Sequence, residues 1–191
     1  MFTVLVSPVL LTYWALSVVC QRDSLWQSCL QFLSLFPGKV GSYLRLCFLH
    51  YTASHVQWDS FIGFGALFSQ VDTDIASGVY IGPQCNIGKC SIGRDTLLGS
   101  GVHILSGKNQ HRFARTDVPM RDQGGVFEKI SIGNNCWLGN GAIVMASVGD
   151  GSVVAAGAVV VNEVPAGVIV GGNPAKELKV IEEVRHASGA E

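Results

Sequence analysis

Two histidines, His103 and His111, bracket the start of a polar stretch and are the side chains best suited to move a proton at neutral pH. Neutral imidazole can take the proton of a hydroxyl as its oxygen attacks a carbonyl carbon, a job that an unassisted alcohol does poorly. The two residues differ in setting. His103 lies between Val102 and Ile104 in an apolar alternation and should point outward from a strand. His111 lies in LSGKNQHRFARTDVPMRDQGGVFEK, a segment with no alternation at all. Taken alone, a histidine in a polar loop is more often a solvated surface residue than a base. Asp72, Asp74 and Glu128 are the nearby acids able to orient it, and each equally reads as a surface charge.

Other chemistries find less support. Zinc held by histidines needs three converging imidazoles, and only these two fall in the central part of the chain, so no metal is expected. The six cysteines form no CxxC pair, which removes zinc-ribbon and dithiol motifs. A net charge of −1 with 14% charged residues provides no basic stripe for nucleic acid.

The frame that must hold these side chains is a six-residue period from Ile75 to Val160. Aliphatic anchors recur at Ile75, Ile81, Ile87, Ile92, Leu98 and Ile104, then at Ile132, Leu138, Val144, Val148, Val154 and Val160. Smaller side chains precede them by two: Val79, Cys85, Cys90, Thr96, Val102, Cys136, Ala142, Ser152 and Ala158. This fits neither a helix nor a hairpin; it fits short strands wound around a prism, one large and one small side chain turned inward per face. The cysteines in the small slots act as compact hydrophobes, which points to a reducing, cytoplasmic setting. Glycine directly after many anchors (Gly63, Gly82, Gly93, Gly133, Gly139 and Gly149 among them) suits a corner with tight or left-handed backbone. The period fails over 105–129, and an excursion that long maps to one edge of a solenoid, within reach of a neighbouring subunit.

These repeats, from about Trp58 to Lys176, resemble the hexapeptide-repeat acyltransferases, in particular the branch of sugar and polysaccharide O-acetyltransferases. The resemblance implies an all-β solenoid, a left-handed parallel β-helix with three hexapeptides per coil, assembled as a homotrimer. It implies acetyl-CoA as co-substrate, with His111 as the catalytic base on the excursion. ISIGNNCWLGNGAIV, SVVAAGAVV and VIVGGNPAK resemble the donor-binding end of such enzymes, which places Trp137, Gly139, Asn140 and Ala156 along the pantetheine arm and Lys176 near the nucleotide phosphates. Taken without the motif, Lys176 is a surface charge. Family members often carry Thr-Lys where this chain has Val161-Asn162, which puts one polar contact in doubt.

The flanks complete the organisation into 1–57, an apolar helical segment; 58–176, the β-helix domain with its loop 105–129; and 177–191, a short helix (Glu177–Val184) and tail. Met1–Cys20 carries no charge and is just long enough to span a bilayer; packing on the assembly, or lying at a membrane surface, is the equal alternative. Helical patterns follow at about Leu25–Phe36 and Gly41–Tyr51. The words LSLFPGKVGSYLR resemble the lead-in of acetyltransferases that decorate exported polysaccharides, which favours a place at the inner face of the membrane. The resulting expectation is acetyl transfer from acetyl-CoA to a sugar hydroxyl by direct, base-assisted attack. An N-acyltransferase acting on an amino sugar and a non-catalytic hexapeptide scaffold are the alternatives.

Overall fold

The computed structural model describes residues 2–181. Three helices come first, α1 (Phe2–Leu16), α2 (Arg22–Ser34) and α3 (Gly38–Thr52), and short strands follow from His55 onward. The strands fall into three ladders, one per side of a column. Face I stacks His55–Val56, Asp74–Ile75, Cys90–Ile92 and Ile130–Ile132, and bridges continue it through Val148 and Val164. Face II stacks Phe61–Ile62, Tyr80–Ile81, Leu97–Leu98, Trp137–Leu138, Val153–Val154 and Val168–Gly171. Face III stacks Leu67–Phe68, Asn86–Ile87, His103–Ile104, Ile143–Val144 and Val159–Val160. All of these pairs are parallel, giving the left-handed parallel β-helix that the repeat resemblance implies.

Every anchor read from the period is buried, as are all nine of the smaller side chains that precede them. In-register stacking puts Ile75 over Ile92 and Ile92 over Ile132, so like side chains form apolar columns inside the prism. Buried hydroxyls tie successive coils together. Thr96 donates to the Gly133 carbonyl at 2.8 Å and accepts from the Cys136 N–H at 3.0 Å.

The glycines after the anchors have a different cause from the one the sequence suggests. Left-handed backbone falls two residues later, at Gly65, Gly78, Gly101, Gly141, Gly151, Gly157 and Gly167, and in the same slot at Gln84, Asp95 and Asn135. The glycines adjoining the anchors are required by the next coil. A Cβ on Gly93 would sit 2.5 Å from the Gly133 carbonyl carbon, and one on Gly139 would sit 2.5 Å from the Ala156 nitrogen. The corners between faces III and I carry no such left-handed slot outside the excursion, and the irregular steps of the repeat all fall there.

The C-terminal end also departs from expectation. Lys176–Val180 is a strand, antiparallel to Val168–Gly171, so the helix expected over Glu177–Val184 is replaced by strand as far as Val180. Residues 182–184 of that expectation lie outside the described residues. Folding back lets this strand take the backbone groups that the last parallel strand would leave open.

At the other end the helices do the same for the first coil. The Ile62 N–H donates to Ser42 Oγ (3.2 Å), the Gly65 N–H to the Ser34 carbonyl (3.3 Å) and the Val71 N–H to Asp23 Oδ1 (2.9 Å). Gln27 donates to the Ser69 carbonyl at 2.7 Å. Arg45 is wholly buried without a carboxylate. It donates to the Ile62 carbonyl through Nε (3.3 Å) and Nη2 (3.1 Å), and through Nη1 to Leu33 O (3.1 Å) and Phe36 O (2.9 Å) at the C-terminal end of α2. The carbonyl end of a helix favours a cation. Burial lowers the guanidinium pKa to about 10, which leaves it charged at neutral pH.

Two stability predictions follow from this packing. Arg45→Met should cost about 2 kcal/mol or more in denaturant unfolding, because the buried Ile62 carbonyl and the part-buried Phe36 carbonyl lose their donor at about 1–3 kcal/mol each; a loss near zero would show that the guanidinium is not what seals the first coil. Gly101→Asn should cost less than about 1 kcal/mol, since Asn tolerates the left-handed slot. Gly93→Asn should cost several times more, because its side chain meets backbone. Equal costs at the two sites would refute the stacking explanation.

Candidate active site

The excursion leaves face III after Ile104 and rejoins face I at Ile130. It is a two-limbed arm zipped by its own backbone: Glu128 N–H to Ser106 O (2.9 Å), Val126 N–H to Asn109 O (2.8 Å) and Arg112 N–H to Gly124 O (2.9 Å). The limbs approach so closely that a Cβ on Gly125 would fall 1.8 Å from Gln110 O. At the tip, the Gln123 side chain donates to the Arg115 and Val118 carbonyls at 2.7 and 2.8 Å. Lys129, at the base, reaches Asp72 (2.5 Å) and Asp74 (2.7 Å), and Lys89 adds a second cation at 3.0 Å from Asp72.

His111 is exposed on this arm and lines a recess of about 390 Å³ with Asn109, Arg112, Phe113, Val126 and Glu128. His103 points outward from face III, as its alternation predicts, into a separate recess of about 200 Å³ with Ser69, Asn86, Ser106 and Gln110. Adjacent residues Gln110 and His111 therefore serve different recesses. Of the three acids considered as orienting partners, Asp72 and Asp74 are engaged by lysines. Glu128 shares the His111 recess, where it accepts from Asn109 Nδ2 at 3.2 Å; no hydrogen bond joins it to His111 among the described residues. Asn109 is the polar member of this group that sequence reasoning did not single out, and nothing in its spacing marks it.

The expected donor residues collect on face II and on the corner between faces II and III. Trp137 points outward and is 56% exposed. Gly139 and Ala156 meet at this corner on adjacent coils, where a Cβ on Gly139 would fall 2.5 Å from the Ala156 nitrogen. Asn140 accepts from the Ser100 N–H through Oδ1 at 3.1 Å, so its side chain is engaged in joining coils. Lys176 is exposed at the start of the closing strand, opposite Gly171. That strand lies three ladder steps from Trp137, roughly 14 Å at ordinary strand spacing. An outward indole, an alanine corner and an exposed ammonium thus line one side of the column. This is a set suited to an apolar, amide-bearing arm that ends in phosphates.

His111 and this set lie on different edges of the same chain. The arm departs at the III–I edge, while the donor residues occupy face II and the II–III edge. Within the arm, Phe113, Met120, Val126 and Phe127 are largely exposed, and face II presents an exposed row of Tyr80, Leu97 and Trp137.

No family model matches the chain. It is 30% identical over 124 residues to the lipopolysaccharide biosynthesis O-acetyl transferase WbbJ of Escherichia coli, described as putative, covering 61% of this chain and 62% of that protein. It spans less than half the length of the first curated relatives it matches, which are acetyltransferases by name. Among solved structures, a maltose O-acetyltransferase from Clostridium difficile superposes with a TM-score of 0.74 at 20% identity, over 85% of this chain and 88% of the other. The hexapeptide-repeat acetyltransferase VCA0836 of Vibrio cholerae, solved with acetyl coenzyme A, gives 0.55 at 20% identity over 84% and 87%. In repeat and fold the chain is similar to the hexapeptide-repeat acetyltransferases, and its curated relatives are acetyltransferases by name.

The base of the arm should respond to acid. The Lys129 and Lys89 ammonium groups hold the Asp72 carboxyl below the usual carboxylate range. A carboxyl depressed in the folded state contributes stability that is complete above its unfolded pKa and is lost as pH falls through the folded one. Amide exchange across 105–129, corrected for intrinsic rate, should therefore quicken relative to the coils as pH drops through and below that range. Lys129→Met should show the quickening already at neutral pH; unchanged protection in both would rule out the ion cluster as the tether.

Proposed function

We propose that this chain transfers an acetyl group from acetyl-CoA to a sugar hydroxyl, in cell-surface polysaccharide assembly, as one copy of a homotrimer. The observation that carries the reading is the separation of the two halves of the site. The arm histidine and the donor-lining residues occupy different edges of one rigid column, an arrangement that becomes a site when the arm of one copy meets face II of the next. Exposed apolar side chains on both surfaces support that meeting, since large apolar groups left in water mark interaction surfaces. The WbbJ likeness supports a glycan acceptor.

In this reading His111 takes the hydroxyl proton as the acceptor oxygen forms its bond to the acetyl carbon. The imidazolium then returns the proton to the departing sulfur as the carbon–sulfur bond breaks. The products are an acetyl ester and the free thiol, and no covalent acyl-enzyme is needed. Trp137 and the Ala156 corner position the donor, and Lys176 offsets phosphate charge. A positioned base contributes about 10²–10⁴-fold, so His111→Ala should lower the transfer rate by that factor while calorimetry still detects coenzyme A binding. Undiminished turnover would remove His111 from the mechanism, and absence of coenzyme heat in the unaltered protein would favour a non-catalytic scaffold.

We also propose that α1 lies on a membrane surface. Among the described residues no helix is long and apolar enough to cross a membrane. Yet α1 buries Val6 and Tyr13 while exposing Val4, Leu5, Leu11, Trp14 and Leu16. Flotation with phospholipid vesicles should carry the protein upward, and Leu5→Glu with Leu11→Glu should abolish it. Vesicle binding that survives the double change would assign the contact elsewhere.

A further inference from the structure

A further recess opens two coils away from the arm, between α3 and the first coil. It holds about 280 Å³ and has two kinds of lining: the rings of Tyr43, Trp58 and Phe61, and the polar groups of Lys39, Ser42, Asp59 and Ser60.

Each ring is backed by another. Tyr43 stacks on Phe2 (4.8 Å between centroids), Trp58 lies against His50 (3.9 Å) and Phe61 stacks on Tyr80 (4.9 Å, planes 5° apart). His50 is itself fixed, its Nδ1 lying 2.7 Å from the Val56 carbonyl oxygen. The rings are thus held before any ligand arrives, yet Tyr43 and Trp58 remain about half exposed. The polar groups supply both hydrogen-bonding senses. Lys39 has no ion-pair partner among the described residues. Ser42 Oγ accepts from the Ile62 N–H, which leaves its proton to give. Asp59 Oδ2 accepts a hydrogen bond from the Ser77 hydroxyl, and Ser60 donates to the Ala76 carbonyl, so both keep lone pairs to offer.

Flat apolar walls rimmed by donors and acceptors in near-equal number complement a pyranose ring, whose C–H faces are apolar and whose edge is a rim of hydroxyls. An acyl chain would strand Lys39 and Asp59 unpaired, and a phosphate would meet the Asp59 carboxylate. The recess is also joined to the donor side of the molecule. From Phe61, outward residues in register run up face II through Tyr80 and Leu97 to Trp137.

We infer that this recess binds a sugar ring of the acceptor glycan other than the ring that is acetylated, anchoring an extended chain along face II. The inference rests on the sugar-acceptor reading above and deepens it.

The test is retention of the full chain on an array of immobilised neutral, amino and acidic oligosaccharides, with coenzyme A calorimetry run in parallel. The unaltered protein should be retained on a subset of glycans. Trp58→Ala and Asp59→Asn should each weaken retention at least about tenfold, the scale expected for losing one stacking or charge-assisted contact, with coenzyme heat preserved. Lys39→Met, on the solvent side of α3, serves as a further variant should Trp58→Ala fail to fold, and should weaken retention likewise. Retention on no glycan, or equal retention by the folded variants, would overturn the assignment while intact coenzyme binding left the transferase reading standing. Glycan retention that depends on Trp58 in a protein showing no coenzyme heat would uphold the recess and sink the transferase reading instead.

Discussion

Close stacking of one coil on the next is the constraint from which the rest of this structure follows. Parallel strands hydrogen-bond at a spacing of about 4.8 Å, and at the corners that spacing leaves no room for a Cβ where Gly63, Gly82, Gly93, Gly133, Gly139 and Gly149 sit. The same stacking leaves the outermost coils with unmatched N–H and C=O groups, the open edge that any solenoid must cover. At one end the covering comes from side chains of α2 and α3, with Arg45 and Ser42 meeting both backbone groups of Ile62. At the other it comes from Lys176–Val180 running back against the last parallel strand. The helices are therefore part of the solenoid's stability rather than an appendage to it.

A column built this way tolerates variation unevenly. Corners I–II and II–III each need a left-handed residue at a fixed place, and the neighbouring coil fills the adjoining space. The III–I corners carry neither requirement to the same degree, and they hold both the shortened steps and the arm. An insertion there costs only loop closure, which grows slowly with length, and the arm offsets part of that cost through its own backbone bonds and the Lys129 cluster. The edge free to vary is thereby the edge that carries His111, while Trp137, Gly139, Asn140 and Ala156 lie on parts of the column that the stacking constrains.

The anchors and their small partners were legible because burial on each face imposes a period, and a period survives in sequence whatever the exact geometry. Glycine positions were legible as well, but not their reason, since a residue that avoids a clash and one that adopts positive φ look alike in one dimension. Arg45 reads as the single charge of an apolar helix; only the fold brings the Ile62 carbonyl to it. The C-terminal strand was missed because ELKVIEEV alternates in a way that also suits an amphipathic helix, and tertiary pairing with Val168–Gly171 decides between them. Asn140 reads as a donor contact, and the fold adds a second task, since its Oδ1 also holds the Ser100 N–H. Backbone bonding of that kind leaves no trace in residue type. The loss of period over 105–129 marks the excursion that carries His111, but not the backbone bonds that zip it; its neighbours Glu128 and Asn109 are set by limb pairing that spacing does not encode.

Few charges and many outward apolar groups give the chain a surface with much apolar area in water. Tyr80, Leu97 and Trp137 form a row because register pairs their strands in the ladder, so a single outward apolar choice per coil becomes a continuous strip. The other two faces carry no such unbroken row: His55, Asp74 and Ser91 face outward on face I, and on face III Asn86 and His103 separate the outward Leu67 from Ile143 and Val159. Since the interior sequence of all three faces is alike, the difference is not demanded by the fold. Leaving apolar surface in water costs solubility without adding to the core, at roughly 25 cal/mol per Å² that burial would recover. An unbroken strip on one face, and an arm with exposed apolar side chains at a different edge, place that recoverable energy where, in the trimer proposed above, the arm of one copy would meet face II of another.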